Sequence, residues 1–377
     1  MRAKPREVSR RAVLKVTVGT VAVASVGGLG YYWKQAQDKS RWEEAVRATA
    51  RTGAGETSRD GVLRELVHCA TLAANSHNTQ PWKFSAEGKH LSIVPDMTRR
   101  CPAVDPDDHH LFVSLGCALE NMIQAAPAYS KHADYVFEPG DRDVLRVSLV
   151  SGPTAESDFF HAIPYRQSTR LEFSGSMVST EALRSLAAAG TGEGVQVLLF
   201  DDRKDIESIL DYLVQGNTEQ MRDTSFIEEL LYWIRFSYGR AVETRDGLFS
   251  KCSGNPVVPE WLGRRMFRRF FTTETENSKY VRQVRTSGGI GVFVSEVSDK
   301  RHWIEVGRCF ERFALQATSL GLKLSFLNQP VEVSSVREQF ADFLQTKGRR
   351  PDLVIRFGTG AEAPRSLRRP VEHILTL

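Results

Sequence analysis

"VGRCFERFALQATSLGLKLSFL", residues 306–327, passes from one periodicity into another. Val306, Phe310, Phe313, Ala314 and Ala317 recur at helical spacing, so one face of a helix is apolar and must meet a core. The turn "SLGL" follows, and then Leu322, Leu324 and Phe326 alternate as in a strand. A second stretch, "LGCALENMIQAAPAYSKHADYVF" (115–137), reads helix then strand in the same way. Laid together without gaps the two match Gly116 to Gly307, Glu120 to Glu311 and Ala126 to Ala317, a worn internal repeat. "GGIGVFVSEV" (288–297) and "PDLVIRFGTG" (351–360) are further strands, rich in β-branched and aromatic residues and bounded by glycines. Strands mixed with long helices indicate an α+β fold.

The chain of 377 residues is 41% hydrophobic and 25% charged, a composition that buries a core in one large domain or two ordinary ones. Six of its Lys and Arg residues fall within the first fifteen positions against Glu7 alone, so a net charge of +4 leaves the remainder near neutral. A near-neutral body argues against a nucleic-acid face. Arg10-Arg11 stands before an uncharged, largely apolar run from Val16 to Trp33. That pattern resembles a twin-arginine export signal, with an uncleaved membrane anchor as the alternative at 1–33. Five widely spaced cysteines without a CxxC pair read as buried thiols.

Residues 34–58 are polar and end in Gly, Thr and Ser, as a helical stalk and linker. The repeat places a first half at 59–155 and a second at 156–377. Between about 215 and 285 "RRMFRRFFTTETENSKYVRQVR" joins basic and aromatic residues, read as an inserted helical segment with a solvated basic face.

Four polar clusters carry chemistry. "NSHNTQPW" (75–82) offers the hydroxyl and amide groups of Ser76, Asn78 and Gln80, which donate and accept as a heteroaromatic edge requires. "PYRQSTR" (164–170) puts Arg166 and Arg170 either side of Ser168, a set that grips a phosphate or simply faces solvent. "RFGTGAEAPRSLRRP" (356–370) leaves a strand through glycines into Arg365, Arg368 and Arg369. "DPDDHH" (105–110) precedes an apolar helix and reads as an acidic cap in preference to a metal site. HExxH, GxSxG and Walker patterns are absent from the sequence.

The first three clusters together resemble the flavin-binding signature of the nitroreductase superfamily. "NSHNTQPW" is similar to its Ser/Asn-x-Gln-Pro-Trp loop, "YRQSTR" to its Arg-x-Ser-x-Arg phosphate motif, and "FGTGAEAPRSLRR" to its C-terminal Arg turn. The loop stands about ninety residues before the Arg motif, the reverse of the family's order. A fused pseudo-dimer of two degenerate halves accounts for the reversal: family members bind FMN between subunits, and here one half would keep the loop and the other the phosphate clamp. This arrangement resembles the Acg-type branch.

The resemblance implies a nitroreductase-like sheet flanked by helices and one composite FMN site. Arg166, Ser168, Arg170, Arg365 and Arg368 would bind the phosphate, and Gln167 would lie near the pyrimidine edge of the ring. Ser76, His77, Asn78 and Gln80 would line the isoalloxazine, with Asn328, next to Leu327 and Gln329, close to its reactive atom. No catalytic side chain and no metal are implied. The activity implied is hydride transfer through FMN, with NAD(P)H as donor and a nitroaromatic or quinone-like acceptor. The alternative is a flavin-holding protein with little turnover, under a lid formed by the inserted segment. Expected partners are a small-molecule electron acceptor and the twin-arginine export machinery, with a membrane contact through the N-terminal segment and no nucleic acid. The expected form is a monomer, periplasmic or anchored facing the periplasm.

Overall fold

The computed structural model describes residues 33–51, 56–88 and 90–377; the expected signal or anchor at 1–33 lies, but for Trp33, outside the described residues. A helix through residues 33–49 (α1) is followed by α2 (Arg59–Thr71), β1 (Trp82–Glu87), β2 (His90–Pro95), α3 (His109–Ala125), β3 (Lys131–Glu138) and β4 (Val144–Ser151). The second half runs α4 (Asp158–Ala162), α5 (Thr180–Ala189), β5 (Val195–Phe200) and α6 (Arg203–Gln220). Next come α7 (Thr224–Trp233), β6 (Ile234–Arg235), α8 (Tyr238–Thr244), β7 (Leu248–Phe249), α9 (Glu260–Phe270) and α10 (Thr273–Arg285). The chain closes with β8 (Gly289–Ser295), α11 (Lys300–Ser319), β9 (Lys323–Phe326), α12 (Gln329–Glu332), α13 (Ser334–Phe343), β10 (Pro351–Gly358) and β11 (Leu375–Thr376).

The fold is α+β, and its two main sheets share a plan. One has the order β11-β1-β2-β4-β3 and the other β5-β8-β10-β9. Leaving β11 aside, both are antiparallel in the order first, second, fourth, third, with one long helix joining the second strand to the third. Those helices, α3 and α11, cross at the two glycines that the repeat aligned. A Cβ at Gly116 would stand 2.0 Å from the Ile304 carbonyl oxygen, and one at Gly307 would stand 2.0 Å from that of Val113. Each glycine therefore makes room for the other helix's backbone.

Burial explains the strand patterns. β3 alternates buried and exposed because only one face of its sheet is covered. β8 and β10 are buried throughout: α11 covers one face with Phe310, Phe313 and Ala314, and α6 covers the other with Ile206, Ile209 and Leu213.

Three expected boundaries move. The segment at 34–58 is no free stalk, since Trp42 and Ala45 of α1 are buried against Tyr238, Phe249 and Leu367. The insertion begins after α6 and ends before α10, because both helices pack on the sheet through Leu213 and Val284; what protrudes is 221–272. The last strand, β11, pairs in parallel with β1 of the first half, so the second half reaches back into the first. Among the described residues no helix is long and apolar enough to cross a membrane.

Candidate functional site

α2 ends in a loop that L-residues rarely form. His77, Asn78 and Gln80 take left-handed φ values of 48°, 54° and 54°, each costing on the order of 1–3 kcal/mol unless the surroundings fix it. They do. Asn75 Oδ1 accepts from Gln80 N at 2.9 Å, Asn78 Nδ2 donates to the Gly247 and Leu367 carbonyls, and Gln80 Oε1 accepts from Arg369 N at 2.7 Å. Arg369 also donates to the carbonyls of Gln80 and Trp82. The loop is thus held by residues far along the chain.

The Arg-Gln-Ser-Thr-Arg segment reaches it along the edge of β9, where Thr169 N donates to the Leu324 carbonyl at 2.7 Å. Arg166 lies 3.0 Å from Glu311 of α11 and donates to the Leu72 carbonyl, while its Nη1 is buried with no hydrogen-bond partner. Gln167 Oε1 and Thr169 Oγ1 are likewise buried and unpartnered. Arg365 donates to the Pro164 and Tyr165 carbonyls.

Two neighbouring cavities open between these segments. The larger, about 490 Å³, is lined by Ser76, His77, Ser168, Arg170 and Asn328. The smaller, about 80 Å³, is lined by Asn78, Arg166, Gln167, Ser168, Arg170, Arg365 and Arg368. Ser168 and Arg170 belong to both. Among the described residues Arg170's guanidinium has no hydrogen bond or ion pair, and burial holds its pKa below the usual value. Burial, with Arg166 close by, also pushes Arg368 down to about 9. The smaller cavity is therefore cationic, since Glu311 neutralises only Arg166.

Ten of the eleven expected residues line one cavity or the other; Gln80 is the exception. Its side chain lies wholly within the wall, donating to the Arg245 carbonyl and accepting from Arg369, so it shapes the loop. Gln167 lines the small cationic cavity, with its amide donating to the Ala363 carbonyl. Asn78 and Arg368 reach the small cavity with their polar atoms already committed. Arg368 donates to the Thr71, Leu72 and Ala73 carbonyls that end α2, and to Asn78 Oδ1.

Sequence reasoning missed Glu311, which sits in the apolar stripe of α11 as Glu120 does in α3; an acid at matched positions of two apolar helices was the available signal. The inserted segment, expected as a lid, also lines the large cavity. Met266, Phe267, Phe270 and Phe271 from α9 and its end line the large cavity, with Lys279 and Tyr280 of α10. In α9 only Gly263 is buried, over the Phe236 ring.

Exchanging α3 and α11 leads to a place of different character. There Glu120 pairs with Arg308 at 3.0 Å and Arg312 at 3.2 Å, and Glu305 pairs with Arg308 at 2.6 Å. Arg312 donates to the Ala189 carbonyl much as Arg166 donates to that of Leu72. Its charges are balanced, and a short turn at Gly190–Gly194 stands where the first half has its loop.

Burial, with Arg170 and His110 nearby, pushes His77 down to about 4. A histidine depressed in the fold costs no stability above its unfolded pKa of about 6.5, and stability is lost as pH falls through the window from about 6.5 to about 4, by up to about 3 kcal/mol. Urea midpoints at neutral pH and near pH 4.5 should differ, and His77→Gln should shrink the difference by its own share, since burial also lowers His68 and His109. Equal acid sensitivity in both proteins would refute the burial of His77 as a contributor.

No family model matches the chain. It is 24% identical over 307 residues to "Putative NAD(P)H nitroreductase Rv3131" of Mycobacterium tuberculosis, covering 78% of this chain and 84% of that one. It is 23% identical over 331 residues to "Putative NAD(P)H nitroreductase acg" of the same organism, covering 83% and 95%. Among solved structures, the FMN-dependent nitroreductase NfnB of Mycobacterium smegmatis in complex with NADPH is 14% identical, with 55% of this chain and 93% of that one covered and a TM-score of 0.36. A nitroreductase with bound FMN from Desulfitobacterium hafniense is 12% identical, with 59% and 99% covered and a TM-score of 0.37.

Proposed function

We propose that the chain is an FMN-binding oxidoreductase of the nitroreductase superfamily, carrying one flavin in a composite site between its halves. The observation that carries this reading is Arg170, an unneutralised guanidinium shared by a small cationic cavity and a large one. A phosphate in the small cavity would give Arg170 and Arg166 Nη1 the acceptors they lack, and the Ser168 hydroxyl lines the same cavity. The large cavity takes a planar ring between the Ser76–His77 loop and Asn328. The sequence similarity to the two mycobacterial proteins supports the same assignment.

Bound FMN would supply two-electron chemistry, accepting hydride from NAD(P)H and passing it to a nitroaromatic or quinone-like acceptor. This chain's residues grip, orient and shield. Arg170 and Arg166 anchor the charged end, the strained loop sets the wall of the ring site, and the aromatic residues of α9 exclude water above it. The balanced ion pairs around Glu120 fill the exchanged position, so one flavin per chain is proposed and a monomer suffices.

Export by the twin-arginine route remains part of the proposal and rests on Arg10-Arg11 and the apolar run after it. A route that carries folded proteins would retain a flavin bound without covalent attachment. The deciding experiment is a visible spectrum of the chain lacking residues 1–32, followed anaerobically as NADPH is added. Flavin bands that bleach within a turnover time support the reductase. Persistent bands identify a flavin-holding protein under its aromatic roof, and no bands after FMN addition would sink both.

A further inference from the structure

The run at 105–110 caps its helix as its acids suggest, with Asp105 accepting from His110 N and Leu111 N at 3.0 Å each. It also holds a second arrangement. We propose that Asp105, His109 and His110, with Glu332 as fourth donor, form a divalent transition-metal site in the wall of the large cavity.

One ligand atom from each of Asp105, His109 and His110 lies within 4.8 Å of the others, and all three residues are buried. The histidine tautomers follow from Asp352. His110 Nε2 lies 3.2 Å from the main-chain oxygen of Asp352, which can only accept, so Nε2 carries the proton and a neutral ring presents a lone pair at Nδ1. That lone pair faces Asp105 Oδ1 at 4.0 Å and Glu332 Oε1 at 3.8 Å. Asp105 and Glu332 thus flank one ring nitrogen, with Glu332 outside the group whose atoms lie within 4.8 Å of one another. His109 repeats the pattern: its Nε2 lies 2.9 Å from Asp352 Oδ1, and its Nδ1 is buried with no hydrogen-bond partner.

Two imidazole nitrogens and two carboxylates suit a four-coordinate divalent ion of the zinc type. Asp352 fixes both rings from behind, the arrangement that sets the tautomer of ligating histidines and raises their basicity. Metal–ligand bonds of about 2.0–2.2 Å put neighbouring donors roughly 3.4 Å apart, so the spacings within the group need to close by up to about 1.4 Å, and Glu332 must move further to join as the fourth donor. The capping bonds can persist, because each carboxylate oxygen keeps another lone pair. His110 and Glu332 also line the large cavity, which gives an ion its way in.

The test uses the full chain, equilibrated with zinc, dialysed and assayed for metal. About one zinc per chain is expected, with a tetrahedral visible spectrum when cobalt is substituted. His110→Gln and Glu332→Gln should each weaken zinc binding at least about tenfold, and Asp352→Asn by about ten- to a hundredfold, with far-ultraviolet circular dichroism unchanged. Glu332→Gln leaves the helix cap intact, so it reports on the metal even where a variant at 105 would not fold. Retention below about a tenth of an equivalent would overturn the site and leave a protonated His110 between two acids as the account. Equal retention by the His110→Gln and Glu332→Gln variants would overturn it too. Zinc content is read without reference to flavin, so failure here leaves the FMN proposal standing and the reverse also holds.

Discussion

In Arg170→Met, FMN affinity is expected to collapse while the apoprotein becomes slightly more stable. The two effects have one cause. Arg170 has no partner among the described residues, so in the absence of an anion its charge is held at a desolvation cost with nothing in return. Truncating one member of a desolvated, hydrogen-bonded charge pair costs about 2–5 kcal/mol, which is about thirtyfold to several thousandfold in Kd. The apoprotein should gain about 1 kcal/mol, a figure reduced because the guanidinium borders the cavities and keeps some solvent. Arg170→Lys should fall between, retaining charge and losing the planar fork. Flavin fluorescence titration and urea denaturation of the apoprotein read the two effects separately. A variant that loses apo stability and keeps its FMN affinity would show Arg170 to be structural and remove the main support for the proposed function. Glu311 makes the contrast: Arg166 has a carboxylate 3.0 Å away, so its loss is expected to destabilise the fold as well as the site.

How much of this was legible depends on the range of the interaction. Elements set by local periodicity stand where the pattern puts them: α11, β9, β8 and β10 cover the expected stretches. The three polar clusters that converge were legible by residue type, because guanidinium and amide groups bunched in short runs suit an anionic, heteroaromatic ligand. What each atom does was not. Gln80 and Asn78 look identical in kind to a ligand-facing residue, and only their pairing with Arg369, Arg368 and the Gly247 carbonyl, up to 290 positions away, commits them to the wall. The same limit hid the packing of α1, expected as a helical stalk, whose few apolar residues, Trp42 and Ala45, find a pocket on the inserted segment. It also hid β11, two residues with no pattern of their own that gain strand geometry from β1.

The repeat that aligned Gly116 with Gly307 leads to the largest stability effect expected. Gly116→Ala and Gly307→Ala should each cost about 3 kcal/mol or more, because the new Cβ would meet a carbonyl oxygen at 2.0 Å and backbone cannot turn aside as a side chain can. The helices must instead separate. That movement breaks the contact of Cys117 Sγ with the Gly307 carbonyl and carries Glu311 away from Arg166, so flavin affinity should fall with stability. Gly140→Ala is the control, since nothing lies within 4 Å of its Cβ position and its effect should stay within about 0.5 kcal/mol. The double variant is the sharper test. One separation relieves both clashes, so its cost should fall short of the summed single costs by about 0.5–3 kcal/mol. Strict additivity would mean that the two glycines relax independently, and the reciprocal crossing would then not be the joint between the halves that their matched sheets suggest.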